Sequence, residues 1–175
     1  MHHARPLLLA AAFVLAAPLV QAQDVSADLT QLPKRAQATH AAMLAAARAG
    51  DLAALQAIIE GQTGAIQLGF GGAETAAEFA TGNSATGDGL DTLAELVDIL
   101  ELPYKAVDDG EGGKFFIWPY LAGIDLAELS SADKVAAYQL IDPDALPDFV
   151  EYGGWLAMRT VIDADGRWSA WVLGD

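Results

Sequence analysis

Any catalysis by this chain would have to run on carboxylates. His2 and His3 lie in an apolar N-terminal leader, so His40 is the one histidine of the remaining chain, and there is no cysteine. A Ser-His-Asp triad would have to use His40, which sits in an alanine-rich stretch, and no Gly-x-Ser-x-Gly motif occurs. Zinc sites draw mainly on several cysteines or histidines, so the composition speaks against zinc. Neither a Gly-Lys-Ser/Thr phosphate loop nor a Gly-x-Gly-x-x-Gly turn is present. No metal and no cofactor are therefore expected.

The 24 Asp and Glu residues leave two acid-based chemistries to weigh. Asp163-Ala164-Asp165-Gly166 begins like a calcium loop, but that pattern needs glycine at its sixth position and glutamate at its twelfth, where this chain has Gly174. A tight turn between two strands accounts for the same residues through the dihedral preferences of Asp and Gly. Asp108, Asp109 and Glu111 likewise read as a solvated hairpin tip. Glycoside hydrolysis needs two acids roughly 5–9.5 Å apart, one of them in apolar surroundings that raise its pKa. Asp125, just after Trp118-Pro119-Tyr120, and Glu151, beside Tyr152 and Trp155, are the candidates for that pair.

Aromatic residues form the other constellation. Before residue 100 the chain beyond the leader has only Phe70 and Phe79, whereas ten of Phe, Tyr and Trp crowd the segment from Phe115 to Trp171. Aromatic side chains build both cores and binding faces. Strict strand alternation turns Trp168 away from Trp171, and Phe115 and Ile117 away from Phe116 and Trp118. One of these sets must then face away from the main core, as a layer under helices or as a groove for sugar or peptide. Trp118, Tyr120, Tyr152 and Trp155 are the expected ligand-binding residues.

These side chains must be positioned by helices first and strands later. Residues 39–49 read as a helix stopped by Gly50, and Asp51 caps a second helix over 52–60, making an αα-hairpin. Leu55, Ile58 and Ile59 share its buried face. Ile66, Leu68 and Phe70 alternate as a short strand, residues 74–80 suggest a short helix, and 82–89 is a loop. Leu93, Leu96, Val97 and Leu100 predict a helix over 91–100, with Asp88 or Asp91 as its cap. Residues 104–107 and 115–118 form a hairpin across a glycine-rich tip. Asp125 to Leu129 is read as a helical turn, and Ser130 with Asp133 resembles a capping box opening a helix through Leu140. Residues 155–162 and 167–173 close the chain as a hairpin. The expected class is α+β, with N-terminal helices packed on a small antiparallel sheet formed mainly by the C-terminal half.

Residues 1–22 have the three parts of a cleaved secretory signal: a short basic start, the apolar run 7–20, and Val20-Gln21-Ala22 as a small-residue cleavage site. The run is shorter than the roughly 20 residues that cross a bilayer. Residues 23–35 read as a flexible tether and 36–175 as a single domain, large enough to bury roughly 70% of its unfolded surface. With Arg5 removed in the leader, eight of the nine basic residues face all 24 acids. Such a chain is repelled by nucleic acids and anionic membranes. Periplasmic or secreted localisation is expected, with no membrane insertion after cleavage.

At Phe116-Ile117-Trp118-Pro119-Tyr120-Leu121-Ala122, then Asp165-Gly166-Arg167-Trp168 and the closing Val172-Leu173-Gly174-Asp175, the chain resembles a family of exported bacterial proteins without assigned activity. The likeness spans about residues 44–175. It implies export and one domain, framed by the Trp-Pro-Tyr segment and the closing hairpin, and it carries over no catalytic residue. The resulting expectation is a non-catalytic binding or accessory protein whose partner is a cell-envelope component or another protein. The competing expectation is a carboxylate-dependent hydrolase of an envelope glycan.

Overall fold

The computed structural model describes residues 24–174; the expected signal segment lies outside them. The described chain is α+β. Six strands form one sheet in the order β1 (Val25–Ser26), β3 (Tyr104–Asp108), β4 (Lys114–Trp118), β5 (Arg159–Asp163), β6 (Trp168–Val172), β2 (Gln67–Leu68). All pairings are antiparallel except that of β2 with β6. Four helices, α1 (Lys34–Arg48), α2 (Leu52–Glu60), α3 (Ala76–Gly82) and α4 (Leu90–Glu101), supply Met43, Leu55, Phe79, Leu93 and Leu96 to a core shared with Phe116, Trp118, Ile162, Trp168 and Trp171.

Local chemistry explains these elements. Asp51 accepts from Ala54 N–H at 2.9 Å and starts α2 as expected from the Gly50-Asp51 pair. Thr75 and Glu78 close a capping box on α3. α4 starts instead behind Gly89, whose φ is +80°, while Asp88 accepts from Leu90 N–H and Asp91 accepts from Ala85 N–H and the Ser84 hydroxyl.

Residues 24–35 are no tether. Val25 pairs with Lys105 across β1 and β3, Ala106 N–H donates to Asp24 O, and Leu32 is buried in the core. Val25, Leu29 and Leu32 anchor an otherwise polar stretch, and α1 begins right after Pro33 rather than at Thr39.

The expected facing of the tryptophans also changes. Phe116 and Trp118 are buried while Phe115 and Ile117 are half-buried on the opposite face, so alternation holds in β4. In β6, however, Val161 opposes Ala170 and Ile162 opposes Trp168, which leaves Ser169 as an extra residue in a β-bulge. The bulge returns Trp168 to the face of Trp171; both are fully buried, with ring centroids 5.5 Å apart.

The chain between β4 and β5 leaves the sheet as an insertion. It carries 3-10 turns, α5 (Ser131–Ala137) and α6 (Leu146–Tyr152), and builds a second cluster from Tyr120, Leu121, Leu126, Ala137 and Trp155. α5 stops at Ala137, short of Leu140, and α6 has no counterpart in the sequence-based expectation.

His40 is buried in α1 and donates its Nε2–H to Leu100 O at 2.9 Å, with its ring 5.1 Å from that of Trp118. Burial pushes its pKa below the ordinary value, against the opposing effect of the Leu100 bond. A lowered folded-state pKa means that the unfolded chain takes up the proton first as pH falls. The stability is full above the unfolded value of about 6.5 and is lost progressively below it. The unfolding midpoint should therefore drop between about pH 7 and 5.5, a range above most carboxylate titration, and His40→Gln should flatten that slope. A slope unchanged in the variant would assign the dependence elsewhere.

Candidate functional site

Three of the four expected ligand-binding residues are interior. Trp118 is fully buried between His40 and Tyr104 because alternation in β4 aims it at the helices. Tyr120 is buried and donates its hydroxyl to Asp133 Oδ1 at 2.6 Å. Burial, reinforced by Asp133, raises the Tyr120 pKa. Burial alone would raise the Asp133 carboxyl, but hydrogen bonds from Ser130 and Tyr120 outweigh it and hold the group below the usual range. Trp155 lies edge-on to Phe149 at 5.4 Å and donates its indole N–H to Met158 O at 3.1 Å. These residues hold the insertion to the sheet and present no face to a ligand. Tyr152, at the end of α6, is 56% exposed.

The expected acid pair fares no better as a catalytic device. Asp125 caps a 3-10 turn, with Oδ1 accepting from Ala127 N–H at 2.9 Å. Glu151 stands on α6 in the wall of a cleft that Asp125 does not line. Two other acid pairs do share a cleft: Glu74 and Glu78, with Glu78 Oε2 engaged by the N–H groups of Glu74 and Thr75 in the α3 capping box, and Glu95 and Asp98 on α4, where desolvation together with Asp91 and Asp98 raises the Glu95 carboxyl. The cleft of Glu95 and Asp98 holds only about 160 Å³, below the roughly 300–1,000 Å³ of ordinary ligand pockets. Among the described residues no three of His, Cys, Asp and Glu are gathered to hold a metal ion.

The surface feature that does stand out belongs to α5 and α6. Of seven large hydrophobic residues exposed among the described ones, Val135 (60%), Tyr138 (44%), Val150 (37%) and Tyr152 are all on or immediately beside these two helices. Between the helices runs a cleft of about 490 Å³, with Leu126, Tyr138, Pro143, Leu146, Pro147 and Val150 in its walls and Lys134 and Glu151 among its polar groups.

Each wall follows from local sequence. Ser130 and Asp133 form the anticipated capping box that starts α5, and Lys134 and Tyr138 then fall one turn apart on one side. Asp142 accepts from Asp144 N–H and turns the chain back. Pro147 fits the first turn of α6, where its missing N–H costs no helical bond, and places Val150 and Glu151 three and four residues later. Gly153, at φ +83°, ends the helix.

Three larger clefts lie beside the glycine loop Gly69–Gly72, between α1 and the β5–β6 turn, and along β1 and β3, at about 650, 630 and 560 Å³. Phe70 and Leu173 line the first together with Glu74 and Glu78, and all three offer apolar surface, but polar groups make up a larger share of their walls than of the α5–α6 cleft. Compared with known proteins, the chain matches no protein-family model, no curated protein and no solved structure.

Proposed function

We propose that this protein is a non-catalytic binding or accessory module of the periplasm or of the secreted fraction, and that it engages a cell-envelope component or partner protein through the α5–α6 cleft. The observation that carries this reading is the pair of exposed side chains Tyr138 and Val150 in the walls of a cleft that Leu126, Pro143, Leu146 and Pro147 also line. Export is argued from the three-part leader at residues 1–22 and from the family resemblance. No helix among the described residues is long and apolar enough to cross a membrane. The competing hydrolase needs two facing acids in one sizeable apolar cleft, and Asp125 is engaged as a turn cap instead.

The test is the unfolding midpoint of the purified protein, scanned against peptidoglycan fragments and a panel of peptides, since a ligand that prefers the folded state raises it by mass action. A saturable rise is expected in the wild type and its loss in Tyr138→Ser/Val150→Ser, whose own stability should stay within about 1 kcal/mol of wild type because both positions are exposed. The wild type should leave every glycan fragment uncleaved, whereas cleavage by the wild type that is lost in Glu151→Gln would support the hydrolase reading. A flat panel, or a rise that survives the double substitution, would remove the cleft from consideration.

A further inference from the structure

We infer that the occupant of the α5–α6 cleft is a basic amphipathic polypeptide segment. This rests on the binding reading above and deepens it by naming the partner's chemistry.

The argument comes from the charges around the cleft. From Tyr120 to Trp155 the chain carries seven carboxylates and one cation, Lys134. Three of the seven are committed to the fold: Asp125 and Asp142 cap turns, and Asp133 accepts from Ser130 and Tyr120. The other four, Glu128, Asp144, Asp148 and Glu151, are exposed and make no side-chain hydrogen bond or ion pair with the described residues. Glu151 lines the cleft, and each of the other three is the sequence neighbour of a lining residue, Ala127, Pro143 or Pro147.

The cleft itself holds one cation, Lys134, and one carboxylate, Glu151, but it lies in a segment where seven carboxylates face that one cation, and this selects against most alternatives. Anionic polymers and anionic membranes meet like charge. A neutral glycan leaves the carboxylates without counter-charges and covers the apolar walls with hydroxyls that need partners. A polypeptide with apolar anchors on one face and lysine or arginine beside them removes Tyr138 and Val150 from water while offsetting the excess carboxylates of the surrounding segment. This is the groove mode of recognition by spaced apolar anchors, with charge setting partner choice and encounter rate.

The test uses a fluorescent peptide of about 15 residues built from leucine and lysine with leucines at helical spacing. Its controls are a scrambled peptide of equal composition and a leucine–glutamate counterpart. The patterned basic peptide should bind saturably at low salt and weaken as salt rises. The scrambled peptide should bind at least about tenfold more weakly. Tyr138→Ser/Val150→Ser should also cost about tenfold without altering charge. Asp144→Asn/Asp148→Asn should weaken binding and reduce its salt dependence. Equal binding of patterned and scrambled peptides, unaffected by the apolar substitutions, would reduce the effect to net charge and overturn the proposal. Binding of the glutamate peptide or of a glycan fragment that is lost in Tyr138→Ser/Val150→Ser would overturn the partner class while sustaining the cleft as a binding site. Absence of any cleft-dependent binding would overturn both.

Discussion

Gly166→Ala should destabilise the protein by about 3 kcal/mol or more, which lowers the unfolding midpoint by roughly 10 °C in a domain of this size. Two costs combine. Gly166 has a φ of +83°, where a residue with a Cβ pays about 1–2 kcal/mol. The added Cβ would also lie 2.6 Å from the carbonyl carbon and the Cβ of Arg35 and 2.8 Å from its carbonyl oxygen. Those atoms belong to α1 and are mostly backbone, so the obstacle cannot rotate aside. Thr39 Oγ1 donates to Gly166 O at 2.5 Å, holding the β5–β6 turn against the same helix. Relief of the clash therefore means lifting the turn off α1 and losing that bond. Gly153→Ala separates the two costs, because Gly153 has the same φ of +83° and nothing within 4 Å of an added Cβ. It should lose only about 1–2 kcal/mol. Equal losses in the two variants would show that the close approach of turn and helix contributes nothing.

The same turn illustrates what local sequence can specify. Asp163-Ala164-Asp165-Gly166 reads as a hairpin turn because Asp163 accepts from Arg167 N–H and Gly166 supplies the positive φ, both encoded within five residues. The second helix, opened by Asp51 and run to Glu60, and the Ser130–Asp133 capping box are legible for the same reason. β1 is not, since its two residues become a strand only by pairing with Tyr104 and Lys105, far along the chain. α6 is hidden by Pro143 and Pro147, which look like breakers although Pro147 sits where a helix tolerates proline. With α6 hidden, the cleft beside it was hidden too, and Tyr138 and Val150 had no partner element in the sequence. Aromatic density pointed to the half of the chain that also carries α5 and α6, yet three of the four aromatic side chains it singled out are buried and only Tyr152 is exposed. Whether Trp118 or Tyr138 meets water depends on which elements cover it, and that is a long-range property.

Deleting single residues from the two closing strands should have sharply unequal effects: loss of Val161 should abolish cooperative unfolding, whereas loss of Ser169 should cost about 1–3 kcal/mol and preserve it. β5 is flanked by β4 and β6, with Thr160 opposite Trp118 and Trp171, and Ile162 opposite Phe116 and Trp168. Thr160 and Ile162 are fully buried with Val161 between them on the other face. Without Val161 the two become adjacent and must point to opposite faces, so one buried residue turns outward whichever register forms. The Thr160 hydroxyl also loses its place as donor to Ala170 O at 2.9 Å and acceptor from Trp168 Nε1–H at 2.7 Å. Ser169 is the extra residue of the bulge. Its removal leaves Trp168 and Trp171 two apart, a spacing that regular alternation already keeps on one face. The cost is confined to the Ser169 Oγ–H bond to Val161 O at 3.2 Å and to the contacts of Gln62 with the backbone of Trp168. Denaturant unfolding followed by tryptophan fluorescence reads both outcomes, since Trp168 and Trp171 report on the core directly. Equal loss of cooperativity in the two deletions would mean that the bulge itself, rather than the parity it restores, holds the paired tryptophans in place.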